Sequence, residues 1–534
     1  MPAPTRARVH VDLAITLATF AVLWLLLWRH LSGEWSMNEQ YNYGWFVPFF
    51  AAYLFWLRWE DKPKGGGREA KGGQFFLLFT VAFLLLLLLP LRVFEIGNPD
   101  WRPLGWIHAL IVVALTYIYI GAIGGSAWVR HFGFPIAFTL VAVPWISPIE
   151  QPIVQELMRA VAAAAAETMT LFGIPTQLEG NLIRVPTGLV GVNEACSGVR
   201  SLQTSIMIGL LFGELRRLSI LRRVVLIAGA IAIALVANFA RTLALVWIAA
   251  SRGTEQSEHW HDVAGYLIVV FVFVGTMVLA SKLTTANAGG SPEKSRDLPF
   301  VGLGSSIFAA ALVWMILVEV AAASWYRAHE QNLAPSARWE VRWPEAAPGF
   351  RELKIPEGIR STLRFDRGRE VMWRESAASP AAATYLLYFF KWQPRRSTIL
   401  RARAHRPDIC LPAAGWRQTA DEGIRSYPVN DTFALPLRHF VFAHEGGMRA
   451  RPAFAHTFFC LRENAIHQDE AAQLMTNRPG DWSPIQRWHV VRDGIRNPGQ
   501  QVMEFIMISP RARPSDEVEG ELTRMLPTLV VVRN

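Results

Sequence analysis

One cysteine in the first half of the chain has neighbours that favour its thiolate form. Cys196 lies in the run VNEACSGVR (192–200), directly before an apolar helix. The start of that helix, with Ser197 or Gly198 as its cap, offers unpaired N–H groups, and Arg200 adds a cation one turn later. Both features lower the pKa of a thiol. Cys196 is therefore a candidate nucleophile, although a free cysteine here could also be a small buried apolar side chain.

A single arginine interrupts a later apolar run. Arg241 is the only charged residue between positions 224 and 250. A guanidinium inside a membrane helix costs at least about 2.5 kcal/mol, so it should face the protein interior and a partner. Asn238 lies three residues earlier on the same helix face and can orient it. The alternative is an arginine that extends to the outer lipid headgroups.

Two histidines precede the next apolar run, in the segment EHWHD (258–262). A histidine at a membrane boundary can transfer protons near neutral pH. We predict that His261, which has Gly265 one turn later, faces the helix bundle and that His259 does not. A metal site or a solvated loop are alternatives. The metal is less favoured because no second cluster of ligands occurs in an outward loop, and we expect neither metal nor cofactor.

A cysteine, an arginine and a histidine at one membrane face could perform acyl transfer. The Cys196 thiolate would attack a peptide carbonyl, and Arg241 would stabilise the oxyanion. His261 would give a proton to the leaving amine and take one from the incoming acceptor.

Composition places most of the chain in a membrane. The 534 residues are 52% hydrophobic, and the mean hydropathy is +0.23. The net charge is +10, but the basic residues gather in short stretches between apolar runs, which is typical of membrane topology rather than of a nucleic-acid-binding face. Three cysteines are too few for a disulfide scaffold.

Apolar runs long enough to cross about 30 Å of hydrocarbon recur through the first 325 positions. We predict about nine spans in an all-α helix bundle. They lie near 11–28, 44–57, 75–93, 107–125, 132–147, 199–213, 224–250, 263–281 and 303–324.

Every second loop is basic, which predicts a cytoplasmic N-terminus. The first span has no small-residue cleavage site after it, so we expect a retained anchor. The cytoplasmic loops would carry Arg58, Lys62, Lys64, Arg68, Lys71, Arg130, Arg216, Arg217, Arg222, Arg223, Lys282, Lys294 and Arg296.

The outward side would then hold residues 148–200, 251–261 and everything after about 324. The segment 152–174 predicts a helix on the outer interface or a tenth span. Polar composition and short apolar runs predict a soluble, strand-rich α+β domain over 325–534. We expect a catalytic membrane domain over 1–283, a cytoplasmic linker over 284–302 and a final span over 303–324.

These motifs resemble the exosortase and archaeosortase family of membrane transpeptidases. The matching residues are EACSGVRS (194–201), NFAR (238–241) and His261 with Gly265, supported by YGWFVP (43–48) and GNLIRVP (180–186). The family's proposed catalytic Cys, Arg and His correspond to Cys196, Arg241 and His261. The resemblance covers most of residues 1–285.

The C-terminal region is similar to the domain that accompanies exosortases, either fused or as a separate protein. The matching motif is HRPDICLPAAGW (405–416), where the family more usually ends in Gly-Ser or Gly-Ala-Gly. The match implies a fused accessory domain of undefined role. Its cysteines, Cys410 and Cys460, could form a disulfide in an oxidising compartment, or Cys410 could serve another purpose.

The resemblance implies a cysteine peptidase of the inner membrane, with its C-terminal domain in the periplasm. Its substrates would be membrane-anchored exported proteins with a C-terminal sorting signal: a Pro-Glu-Pro-like motif, an apolar helix and basic residues. It would transfer them to a lipid or polysaccharide acceptor. The alternatives are a transporter or export component for extracellular polysaccharide, and a lipid-linked acyltransferase that uses the thiol without a peptide.

Overall fold

A computed structural model gives the architecture of the chain. It describes residues 6–63, 74–180, 182–191, 198–284, 305–335, 338–355, 359–360, 363–376, 382–395, 398–402, 406–444, 452–467, 484–497 and 499–533. The predicted linker 284–302 lies almost wholly outside these residues.

The N-terminal region consists mainly of long apolar helices. They are α1 (Arg6–Met37), α2 (Val47–Glu60), α3 (Gln74–Gly97), α4 (Arg102–Phe138), α5 (Ser147–Leu171), α6 (Val199–Leu215), α7 (Ile220–Arg252), α8 (Thr254–Leu283) and α9 (Ser305–Glu330).

Six helical segments in the described part of the chain are long and apolar enough to cross a membrane. They include most of α1, α3, α7, α8 and α9, and the segment Arg102–Ala142 that contains α4. The predicted count of nine is not confirmed. The runs near 44–57 and 199–213 form α2 and α6, which have only 14 and 17 residues, and α5 is not among the six.

The runs near 107–125 and 132–147 belong to one helical segment that folds back on itself. Gly125 has φ 67° and ψ −166°, which breaks the helix. The Tyr117 hydroxyl donates to the Gly133 carbonyl at 2.7 Å, whereas 16 residues of straight helix would separate them by about 24 Å. Trp106 Nε1 likewise reaches the Pro144 carbonyl at 2.8 Å. The two arms therefore run antiparallel.

The predicted cytoplasmic loops gather at one end of the bundle. Arg58, at the end of α2, donates to Glu214, at the end of α6, with Nε at 2.7 Å. Arg223, in the first turns of α7, reaches the same carboxylate at 2.8 Å. Arg217 pairs with Asp61. The basic clusters after the second and sixth predicted spans thus lie at the same end of the bundle, as expected if both loops are on one side of the membrane.

A small antiparallel sheet precedes α6. It contains β1 (Gln177–Glu179), β2 (Leu182–Val185) and β3 (Gly188–Gly191) in that order. Ile183 is fully buried beside α5 and α7, and the Thr187 hydroxyl donates to the Ala249 carbonyl at 2.6 Å. These contacts attach the sheet to the end of α7.

The C-terminal region is strand-rich, as predicted. Its short strands are β4 (Leu333–Pro335), β5 (Arg338–Val341), β6 (Arg351–Leu353), β12 (Ala465–His467) and β14 (Val530–Arg533). The longer strands are β7 (Arg367–Arg374), β8 (Thr384–Trp392), β9 (Arg417–Asn430), β10 (Phe433–His444), β11 (Ala453–Glu463) and β13 (Gln500–Ser509). Seven strands form one sheet in the order β6-β7-β8-β13-β11-β10-β9.

Side chains alternate between the two faces of this sheet because successive residues of a strand point to opposite sides. One face packs Leu387, Phe458 and Phe505 against α13 (Ser515–Leu529). The other packs Phe390, Phe440 and Leu411 together. This second face carries the short helices α10 (Thr398–Ala402) and α11 (Pro407–Ala413). A further helix, α12 (Pro484–Arg492), precedes β13.

Candidate active site

Arg241 and His261 meet between α7 and α8. Arg241 Nη2 lies 3.0 Å from His261 Nε2 and donates to the His261 carbonyl at 3.2 Å. Because a guanidinium only donates, the Nε2 atom accepts and the imidazole proton resides on Nδ1. His259, by contrast, is exposed. Two of the three predicted site residues, Arg241 and His261, are therefore in contact.

Gly265 leaves room for this pair. It lies one turn after His261, and a Cβ at this position would be 3.5 Å from Arg241 Nη2. A larger side chain would compete with the guanidinium for the same space. A Cβ at 3.5 Å would make ordinary van der Waals contact, so the pair limits the size of this side chain without requiring glycine.

Asn238 connects the same helix to the start of α6. Gly198 is the N-cap of α6 with φ +84°, and a Cβ there would lie 2.9 Å from Asn238 Nδ2. Asn238 itself is 1% exposed. Of the two caps considered for this helix, Gly198 is the one used. The close approach fixes the beginning of α6 against the helix that carries Arg241.

Cys196 belongs to the segment 192–197, which lies outside the described residues. The residues on both sides of this gap are described. Gly191 ends β3, which belongs to the sheet attached to α7, and Gly198 begins α6 beside Asn238. The chain therefore enters and leaves the cysteine segment at positions packed on the helix of Arg241.

A comparison with protein families identifies this region. Residues 35–278 match the model of the transmembrane exosortase family. The membrane region of this chain belongs to the exosortase family. The match includes Asn238, Arg241 and His261, and it ends before α9 and the C-terminal region. Comparison with curated proteins and with solved structures gave no significant match.

The exosortase domain also contains a buried polar group that the sequence motifs did not indicate. The Tyr41 hydroxyl donates to Glu150 and accepts from the Trp145 N–H at 2.8 Å and from Gln203 Nε2 at 3.2 Å. Burial next to the Glu150 carboxylate raises the pKa of Tyr41 well above its ordinary value. Since Gln203 lies in α6, this hydroxyl attaches the helix after Cys196 to the rest of the domain.

A signal for this group existed in the sequence. Gln203 is a polar residue on the apolar helix α6 and is 1% exposed. Glu150 is an acidic residue in a largely apolar segment and pairs with Arg102. Isolated polar residues on apolar helices need partners, but their positions did not reveal which partners these would be.

The two cysteines of the C-terminal region are free thiols. Cys460 is wholly buried, which raises the pKa of its thiol to about 12. Cys410 is exposed on α11. The disulfide considered from the sequence is therefore absent from the structure.

Proposed function

We propose that this exosortase-family protein is a membrane cysteine transpeptidase that cleaves C-terminal sorting signals of exported proteins. Cys196 is the nucleophile, Arg241 binds the oxyanion, and His261 transfers protons. The proposal is supported chiefly by the hydrogen bond from Arg241 to His261, next to the helix that follows Cys196.

The proposed reaction begins when the Cys196 thiol gives its proton to Nε2 of His261. This atom gives up its hydrogen bond from Arg241 to take the proton, and the ring becomes an imidazolium. The thiolate attacks the peptide carbonyl, and the resulting oxyanion is stabilised by the Arg241 guanidinium. The C–N bond then breaks, and the imidazolium gives its proton to the leaving amine. A thioester on Cys196 remains. An acceptor nucleophile loses its proton to His261 and attacks the thioester. The C–S bond breaks, and the expelled Cys196 thiolate takes the proton back from His261.

Our proposal for the substrate is an exported protein with a Pro-Glu-Pro-like motif, an apolar helix and a basic cluster at its C-terminus. The acceptor is a lipid or a cell-surface polysaccharide component. An active site among membrane helices suits such a substrate because the enzyme and the membrane-anchored substrate are confined to the same bilayer. We propose the inner membrane as the location, with the C-terminal domain in the periplasm.

Cys196→Ala and Cys196→Ser should abolish processing of a co-expressed protein that carries a sorting signal. A serine hydroxyl has a far higher pKa than a thiol and requires a stronger base. Processing is followed as a change in substrate mass, and the enzyme is quantified in membranes. The matched control is Cys460→Ser, since this buried thiol should not react. Normal processing by Cys196→Ser would refute the proposal.

A transporter or polysaccharide-export component is the competing function, because an intramembrane arginine and several spans would suit it as well. Such a protein would not need Cys196. Loss of polysaccharide export in Arg241→Ala, with export preserved in Cys196→Ser, would favour it. A lipid-linked acyltransferase would instead require the cysteine but yield a labelled acyl product from a non-peptide donor.

A further inference from the structure

The C-terminal region is joined to the exosortase domain inside the membrane. Arg92 on α3 donates to Glu319 on α9, with Nε at 2.6 Å, and also pairs with Glu95. The Tyr326 hydroxyl of α9 donates to the Val93 carbonyl at 2.6 Å. The Arg92 side chain is only 4% exposed. Separating the helices would remove one of the two carboxylates that contact this buried guanidinium, so α9 is an integral part of the bundle.

A second attachment lies at the outward end of α3. Both terminal nitrogens of Arg487, on α12, donate to the Asp100 carboxylate at 3.1 Å. Asn98 Nδ2 donates to the Arg487 carbonyl at 3.1 Å. Trp325 Nε1 of α9 donates to the Val491 carbonyl at 3.1 Å. The bidentate pair is largely buried and has the geometry of a specific contact.

A third contact joins the motif of the C-terminal region to the sheet that precedes the cysteine segment. A Cβ at Gly180, in the turn between β1 and β2, would lie 2.2 Å from the Gly415 Cα atom. Both glycines have positive φ, +63° and +87°. Their backbones touch without room for a side chain. The segment 406–416 therefore lies against the exosortase domain close to the chain that leads to Cys196.

The same face of the large sheet contacts the bundle elsewhere. Arg401 on α10 donates to the Met37 sulfur at 3.1 Å, at the end of α1. The helices α10 and α11 lie on this face, whereas α13 covers the opposite one. The exposed Cys410 of α11 is thus on the side of the sheet that faces the membrane domain.

We propose that the C-terminal domain forms one wall of the substrate site, with segment 406–416 contacting the substrate polypeptide while it is held at Cys196. This inference rests on the proposed function. An exported protein reaches the cysteine from the outward side as an extended polypeptide. The β1–β2 turn and Gly415 already touch, so the polypeptide passes along the exposed side of this segment.

Site-specific photocrosslinking tests the contact. A photoreactive amino acid replaces Cys410 in the full-length Cys196→Ser variant, which should bind the sorting-signal protein without cleaving it. The matched control replaces Arg524, an exposed residue of α13 on the opposite side of the sheet. We expect a crosslink to substrate from position 410 at least tenfold stronger than from position 524. Equal crosslinks, or none from 410, would overturn the inference.

Charge reversal tests the attachment. Arg487→Asp and Asp100→Arg should each lower the rate of substrate processing at least about tenfold, and the double variant should recover most of it because the pair is restored. Arg524→Asp is the control and should leave the rate unchanged. Undiminished rates in the single variants, or no recovery in the double variant at equal membrane levels, would contradict the proposed wall.

The two proposals fail in different ways. Processing that persists in Cys196→Ser would refute the transpeptidase itself. Processing that depends on Cys196 but is unaffected by Arg487→Asp, with no crosslink from position 410, would refute only the role of the C-terminal domain.

Discussion

The contact between Arg241 and His261 gives the arginine a geometric requirement besides its charge. Its Nη2 atom donates to both the ring and the carbonyl of His261. The planar guanidinium presents further donors at fixed angles, which an ammonium does not. The side chain can therefore hold the histidine and bind an oxyanion through different nitrogens.

We predict that Arg241→Lys is nearly as damaging as Arg241→Ala. Lysine keeps the positive charge but loses the fork, and removal of one oxyanion donor typically costs about 10²- to 10³-fold in rate. Single-turnover processing of a sorting-signal substrate in isolated membranes gives the rates. Wild-type turnover by Arg241→Lys would reduce this residue to a structural anchor.

Individual residues were predictable where a local pattern existed. His261 was distinguished from His259 by Gly265, and Gly198 was one of two expected caps. The partnership of Tyr41 with Glu150 was not, because 109 residues separate them and no local pattern relates them. The same holds for Arg92 and Glu319, which are 227 residues apart. Such pairs are set by the packing of helices.

At the scale of elements, the start of α6 depends on a glycine with two separate constraints. Gly198 has a positive φ, and a Cβ added to it would lie 2.9 Å from Asn238 Nδ2. Gly253, between α7 and α8, also has a positive φ of +95°, but a Cβ there would have no atom within 4 Å. An alanine at Gly253 would therefore introduce backbone strain alone, whereas an alanine at Gly198 would introduce backbone strain and a steric clash.

Gly198→Ala should lower the processing rate at least about tenfold. Gly253→Ala, at φ +95° and ψ 160° with no atom near its Cβ, should cost only backbone strain, about 1 to 3 kcal/mol of stability. The alanine at 198 displaces Asn238 and with it the helix of Arg241. Processing rates and thermal unfolding of the purified proteins provide the comparison. Equal effects of the two substitutions would show that the contact with Asn238 is unimportant.

A buried histidine pair makes the C-terminal sheet sensitive to acid. His439 Nε2 lies 2.9 Å from His456 Nδ1, and His439 Nδ1 lies 3.0 Å from Glu519. Burial lowers the pKa of both histidines, that of His456 to about 4 with a further contribution from His439. The unfolded chain therefore takes up protons at a higher pH than the folded domain does.

The stability contributed by His456 should be complete above about pH 6.5, the ordinary histidine value, and should fall as the pH decreases towards 4. Denaturant unfolding of the full-length protein, monitored through hydrogen exchange of the amides in β10 and β11, would measure this loss of stability as a function of pH. His456→Gln should flatten the pH dependence between these values. An unchanged slope in that variant would assign the acid sensitivity to other groups.

The main elements followed from sequence where hydrophobic runs were long. Six segments of the described chain are long and apolar enough for a span, and the strand-rich C-terminal region followed from its polar composition. The shorter runs were ambiguous because α2 and α6 fall below the length needed to cross about 30 Å of hydrocarbon at full thickness. The two apolar runs on either side of Gly125 indicated a break in the helix at this position. The tight turn that the chain makes there depends on packing between the two arms.

At the scale of the whole molecule, the proposed chemistry depends on orientation. If the basic loops are cytoplasmic, the Cys196 segment and the C-terminal domain share the outward compartment. The contact between Gly180 and Gly415 agrees with a common side for both. The assignment of that side to the outside of the cell rests on the charges of the loops.

A membrane-impermeant maleimide applied to intact spheroplasts should label Cys196 in a variant that lacks Cys410 and Cys460. A C-terminal phosphatase fusion should be active in the same cells. Both results follow from an outward cysteine segment and an outward tail. Labelling only after permeabilisation, together with an inactive fusion, would invert the topology.

The double partnership of Arg92 has a consequence for biogenesis. Glu95 is on the same helix, so α3 can leave the translocon with its arginine already neutralised by a neighbour three residues away. Glu319 is synthesised 227 residues later and replaces lipid around this pair only when α9 arrives. We therefore expect α3 to insert with a provisional ion pair, to which α9 later adds the second carboxylate.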